Sequence, residues 1–205
     1  MRTRVRNTAL ALVTAILATF VSAGAAGATT LTFTTVPVLG TLSALTLNGA
    51  KQTTTTSTTL NHFAVTSSGT NTGWNMTVAS VTGGANSSVF KEYCPNTTCG
   101  ADTGPGYVSG GYTLPSGSLT LNTTGASILG SGATKPAFQC SVSPFCTIDT
   151  TTPTKIVSAT TSSSLTTWVS SGNSALSLTT PANLHKLQTN EVYRVNLMWT
   201  LNSGP

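Results

Sequence analysis

The stretch that decides the fold is Tyr193-Arg194-Val195-Asn196-Leu197-Met198-Trp199-Thr200-Leu201, near the end of a 205-residue chain. Its odd positions, Tyr193, Val195, Leu197, Trp199 and Leu201, are large and apolar. Its even positions, Arg194, Asn196, Met198 and Thr200, are mostly polar. Successive side chains of a strand point to opposite faces, so the five apolar residues line one face. A strand of this kind needs a second layer to cover that face. Chain termini fray unless packing ties them down, so this pattern predicts a C-terminal segment that belongs to the core.

Similar short runs recur upstream. Leu31 to Val38 opens with Leu31 and Phe33 on one face, and Leu42 to Leu47 leads into Asn48-Gly49, a hairpin-type turn. Thr58 to Thr66 carries Phe63 and Val65 at strand spacing, and Trp74, Met76 and Val78 alternate after Gly73. Tyr112 to Leu121 reads as a hairpin about Pro115-Ser116-Gly117. Weaker strand signals lie near Ile156, Trp168 and Leu176 to Leu178, and Thr53 to Thr59 reads as an exposed Thr-rich strand or loop. Helix-period patterns are nearly absent. Many short strands with frequent turn signals predict an all-β fold, a single β-sandwich or barrel-like domain.

The N-terminus carries a different signal. Arg2, Arg4 and Arg6 form a basic region, Thr8 to Val21 is apolar, and Ala26-Gly27-Ala28 fits a cleavage pattern, with Val21-Ser22-Ala23 as a competing site. The apolar run is shorter than the about 20 residues that a membrane-spanning helix needs. Residues 1–28 are therefore expected to be a signal peptide and 29–205 the mature domain. Without the leader, six basic and four acidic residues remain, a formal net charge of +2. Such a sparse balance lacks the clustered positive charge of a nucleic-acid surface. Charged residues make up only 6% of the chain, so Thr, Ser, Gly and Asn must supply most of the polar surface.

An exported chain meets an oxidising space, which makes disulfides the first reading of Cys94, Cys99, Cys140 and Cys146. Three pairings are possible; the two local loops need the least reorganisation, and each would contribute about 2 kcal/mol by chain-entropy reasoning. A metal site fits poorly, since neither spacing is C-x-x-C and neither His62 nor His185 is near in sequence. No cofactor is implied. Residues 84–154 hold all four cysteines and many turn residues, and are expected to form a stapled, loop-rich insertion.

Catalytic patterns are thin. Glu92, Asp102, Asp149 and Glu191 are the only acids; Glu92 and Asp102 bracket the first cysteine pair and could meet, but solvated surface positions are the plainer expectation. Neither histidine stands with a nucleophile elbow, and the Gly-rich stretches lack the Lys of a phosphate loop. Four Asn-x-Ser/Thr tripeptides, at Asn75, Asn86, Asn96 and Asn122, are of the frequency expected by chance in so Thr-rich a chain. The expectation is a protein without enzymatic activity. Covalent sorting, a membrane tail and lipidation are not expected, since the pattern of an apolar segment followed by a basic tail does not occur in this sequence and its cysteines lie far from the cleavage region.

Two segments carry a family resemblance. Gly73-Trp74-Asn75-Met76-Thr77-Val78 and Met198-Trp199-Thr200-Leu201-Asn202-Ser203-Gly204-Pro205 resemble the two signature segments of the WxL domain, found in secreted surface proteins of Gram-positive bacteria. Met76 stands where that family has Leu, a mild change in apolar volume, and the cysteine-bearing stretch departs from a typical member. The resemblance implies non-covalent attachment to the cell wall, with peptidoglycan or another wall glycan as partner, and assembly with other surface proteins. Trp74, Met76, Trp199 and Leu201 are expected in the core, because they alternate with other apolar residues. Trp168 lies in a more polar run and is the first candidate for an exposed glycan contact, followed by Tyr107 and Tyr112. The alternatives are a coat or appendage subunit that donates Leu31-Thr32-Phe33 to a neighbour, and a secreted glycan hydrolase built on Glu92, Asp102 or Asp149.

Overall fold

The structure is a computed structural model that describes residues 8–15, 30–39, 42, 45–58, 63–68, 73–130, 134–160 and 167–204. Among these residues the chain is all-β, arranged as mostly antiparallel sheets around one apolar core. The largest sheet is eight-stranded. Its spine is the C-terminal strand β18 (Val192–Ser203), which pairs antiparallel with β6 (Trp74–Ser80) and β7 (Lys91–Cys94). Outward from β6 lie β15 (Thr154–Ala159) and β13 (Ala137–Phe138), and β10 (Gly106–Tyr107) lies outside β7.

The odd-position residues of β18 follow their alternation, except that Leu201 packs against the core only partly buried. Val195 and Leu197 are completely buried, with Tyr193 and Trp199 nearly so. The two segments that resemble a family signature are direct neighbours: Trp199 stands opposite Val78 and Leu201 opposite Met76. Trp74, Met76 and Val78 are buried with Trp199 in the shared core. On the opposite face Asn202 Nδ2 donates to Asn75 Oδ1 at 3.0 Å, and Asn75 Nδ2 donates to the Gly204 carbonyl at 2.9 Å. Asn75, part of one Asn-x-Thr tripeptide, is thus a buried structural amide.

The facing layer is built from three pairs of consecutive strands. These are β4 (Gln52–Thr58) and β5 (Ala64–Ser68), β11 (Leu119–Asn122) and β12 (Ala126–Leu129), and β16 (Thr167–Gly172) and β17 (Ser174–Thr180). One member of each pair enters the sheet β14-β11-β17-β4 and the other the sheet β12-β16-β5-β2, where β2 is Thr30–Thr35 and β14 is Cys146–Thr147. The chain turns between the sheets at Thr123–Gly125 and Gly172–Asn173. Gly172 has φ +77, and a Cβ there would lie 2.4 Å from the Gly125 carbonyl oxygen, so the corner closes only around glycine. The Thr-rich stretch is edge strand β4, where Thr53 and Thr55 hydroxyls meet Thr179 and Ser177 across the pair.

Several expectations change. Residues 84–154 are not an insertion apart from the sandwich: they supply strands to each of the larger sheets, and Leu119 and Leu121 are fully buried. Tyr112 to Leu121 is no hairpin. The turn at Pro115–Ser118 exists, with Ser118 Oγ donating to the Pro115 carbonyl, but it carries the chain between layers. Leu114 bonds back to Phe90, whereas β11 pairs with β17. The Asn48-Gly49 turn also forms, yet β3 (Leu45–Thr46) pairs with the N-terminal segment and not with β4. Leu31 and Phe33, considered as a donated strand, pair within this chain with β5, and Phe33 is buried.

The cysteines form the two local disulfides, Cys94–Cys99 and Cys140–Cys146, with Cα separations of 5.6 and 5.2 Å. No helix among the described residues is long and apolar enough to cross a membrane. Part of the expected leader is itself a strand. Residues Thr8–Ala15 form β1, parallel to β18 from Leu10 opposite Val192 to Ala15 opposite Leu197. The candidate cleavage sites lie outside the described residues.

The packing yields a stability prediction. Trp199→Ala, which empties a fully packed site beside β6, should cost about 3–5 kcal/mol, whereas Thr53→Ala on the exposed edge should change stability by less than about 0.5 kcal/mol. Denaturant unfolding of the two variants beside the wild type measures both.

Candidate functional site

The candidate aromatic contacts fall in three different settings. Trp168 is fully buried. Thr167 and Val169 flank it, but strand alternation turns its indole inward and leaves Val169 37% exposed. Trp168 is therefore a core residue, and its expected role as an exposed glycan contact is withdrawn. Tyr107 is partly buried and fixed on both sides. Its ring meets Tyr93 edge-on at 5.1 Å, and its hydroxyl donates to Asn196 Oδ1. Burial pushes the Tyr107 hydroxyl up to about 12, partly offset by the Arg194 guanidinium. Arg194 in turn lies over the Tyr93 ring at 4.5 Å. This is a packed polar–aromatic cluster on the outer face of the large sheet, and its Tyr is committed to structure.

Tyr112 is different. It is 50% exposed and stacks on His185, with ring centroids 3.4 Å apart and an interplanar angle of 11°. Its position is set from below. Glu92, on β7 opposite Tyr193 of β18, accepts the Tyr112 amide at its Oε2 at 3.0 Å, and its own amide donates to the Tyr112 carbonyl at 2.9 Å. His185 is held by the other strand, since Tyr193 Oη donates to the His185 carbonyl at 3.1 Å. Burial, followed by the neighbouring Glu92 charge, raises the Tyr193 hydroxyl and keeps it a donor.

Beside this stack the acids converge. Gln188 is the hub: its Nε2 donates to Asp102 Oδ2 at 2.7 Å, its Oε1 accepts the Ala101 amide at 2.7 Å, and its amide donates to Glu191 Oε2 at 2.7 Å. Gly100 has φ +61, and a Cβ there would lie 2.8 Å from Gln188 Cβ, so glycine suits the close approach of the loop after the Cys94–Cys99 disulfide to Gln188. Glu92 and Glu191 are each 5% exposed. Burial, with the carboxyls of Glu92 and Asp102 beside it, raises Glu191 from 4.5 to about 7. At neutral pH Glu191 thus shares the cluster with a fraction of its own proton, which lets neighbouring carboxylates approach it.

Sequence reasoning named Glu92 and Asp102 as acids that could meet, and expected solvated surface positions. The structure brings them into one cluster and buries Glu92. It also adds Glu191, Gln188 and His185, which lie about 90 residues away in sequence; only the pairing of β7 with β18 brings them there. Asp149 is elsewhere. It is fully buried, and its two carboxylate oxygens accept the Ser118 and Leu119 amides at 2.9 Å each, so it fastens the interlayer turn. His62 lies outside the described residues. Among the described residues no group of three or more His, Cys, Asp or Glu side chains is placed to hold a metal ion.

No family model matches this chain, and no curated protein or solved structure matches it.

The Glu191 shift fixes the sign of a pH dependence. Its folded value is raised, so the unfolded chain ionises first; stability is full below about 4.5, falls as pH rises towards about 7, and is level above that. The unfolding midpoint should be higher at pH 4.5 than at pH 8, and Glu191→Gln should flatten the slope within that window. Thermal melts across the pH series measure it; an unchanged slope in the variant would assign the effect to another group.

Proposed function

We propose that this chain is an exported surface protein that attaches non-covalently to the bacterial cell wall, binding peptidoglycan or a related wall glycan without turning it over. The observation that carries this reading is the exposed Tyr112 ring, stacked on His185 at the rim of the Asp102–Gln188–Glu191 cluster. An aromatic face offers a flat apolar surface to the C–H face of a sugar ring, and amide and carboxylate groups beside it can meet the ring hydroxyls. Pre-organisation favours such a contact. Glu92 and Tyr193 hold the two stacked rings through their backbones, so little order is left to impose on binding.

Three further features agree with an extracellular role. The two disulfides suit an oxidising compartment. The first residues have the layout of an export signal. The Trp74 and Trp199 segments resemble those of the WxL family, whose members sit on Gram-positive cell walls. That the two segments pair with each other, Met76 opposite Leu201, gives the resemblance a structural sense: each supplies one of two adjacent core strands.

Co-sedimentation with purified peptidoglycan sacculi tests the proposal. Wild-type protein should bind saturably, and Tyr112→Ala should weaken binding about tenfold, or ~1.4 kcal/mol, with the melting temperature little changed. Equal binding by wild type and variant would remove Tyr112 from the site, and an absence of binding by the wild type would remove the wall glycan as ligand.

A further inference from the structure

The edges of β18 are not equivalent. Leu197 pairs with Ser80 of β6 and also with Ala15 of β1, and Arg194 pairs with both Lys91 of β7 and Leu12 of β1. A strand has two edges, so β6 and β7 share one and β1 holds the other. The peptide groups agree. Asn196 donates to the Ser87 carbonyl and accepts from the Val81 amide, in the segment between β6 and β7. Even-numbered peptides therefore face β6 and β7, and those of Tyr193, Val195 and Leu197 face β1. The strand on this second edge is Thr8–Ala15, the first part of the apolar stretch of the expected export leader.

We propose that the β1 edge of β18, over Val192–Leu197, is a strand-docking site that the leader fills in the full-length chain and that β18 of a second copy fills once the leader is removed. The inference rests on the leader reading and is independent of the glycan site, which lies across β7 on the other edge.

Removal of the leader would leave an edge without the usual guards. Natural edge strands deter pairing with Pro, Lys, bulges or inward-pointing charge. Val192–Leu197 has none of these: its registers run without a shift, and its one charge, Arg194, is drawn over Tyr93. The edge is also self-complementary. An antiparallel pairing about a dyad at Val195 sets Val195 opposite Val195 and Tyr193 opposite Leu197. All three outward peptides then become hydrogen-bonded pairs, with about six bonds in all, two for each pair. The same register places Arg194 opposite Asn196, so the two cations never face each other. A dyad normal to the sheet keeps both buried faces on the same side, so the layer over each half continues across the junction. The proposed assembly is a dimer with closed symmetry.

The experiment compares the full chain with the chain after removal of residues 1–28, each with its disulfides formed and its β-sheet circular dichroism verified. Sedimentation equilibrium and light scattering over a concentration series should find the full chain monomeric and the processed chain at twice its protomer mass. A synthetic peptide of Thr8–Ala15 should return the processed dimer to monomer. Val195→Pro should do the same, because it removes an amide that faces the dyad and that β6 and β7 do not use. Should that variant fail to fold, the peptide competition decides. A processed chain that stays monomeric overturns the proposal, as does a dimer that forms equally with the leader present or ignores the peptide. A processed monomer that binds the peptide overturns the second copy as occupant and points to a strand from a different protein.

Discussion

The pairing of β18 with β6 is the constraint on which the rest depends. It brings Trp199, Val78, Met76 and Trp74 into one buried block beneath the facing layer. With that register set, the chain continues antiparallel along the same edge of β18 into β7, and Asn196 bonds both sides of the intervening loop. Glu92 then falls opposite Tyr193, and the Tyr112–His185 stack rests on that pair. The exposed ring is thus tied through backbone-directed bonds to Glu92 and Tyr193, which lie on the same face of the sheet as the core residues Val195, Leu197 and Trp199. A functional side chain on a loop gains positional precision this way, since the scaffold beneath it is packed and hydrogen-bonded.

Scarce charge shapes the same region. Four acids serve the described domain, and three of them gather around Gln188 and the loop that follows the first disulfide. Buried acids need donors, and here backbone amides of Tyr112, Gln188, Ser118 and Leu119 supply them in place of lysine or arginine. A polar surface of Thr, Ser and Asn carries the remaining solvation, as on β4, whose hydroxyls meet those of β17.

Strict alternation made β18 and β6 legible in the sequence, together with the burial of Trp74 and Trp199. The local cysteine loops were legible as the least costly of three pairings. Trp168 misled because the polarity of its neighbours was read as the polarity of its own face, although strand neighbours point the opposite way. The Pro115-Ser116-Gly117 turn was legible as a turn, but its partner strands were not: whether a turn joins neighbours or crosses between layers depends on contacts far along the chain. The same distance hides the acid cluster, whose members join only through β7 and β18. The expected leader shows a further limit, since an apolar stretch that reads as an export signal is also suited to pair as a strand.

Residue-resolved hydrogen exchange on β18 of the processed chain tests the account most directly. The amides of Arg194 and Asn196, which face β7 and the segment beside β6, should be among the slowest in the protein under conditions that keep it monomeric. Those of Tyr193, Val195 and Leu197 should exchange faster there than in the full-length chain. Uniformly rapid exchange along β18 would contradict its place as the spine of the fold, and equal protection at odd and even positions in both forms would contradict the assignment of its two edges.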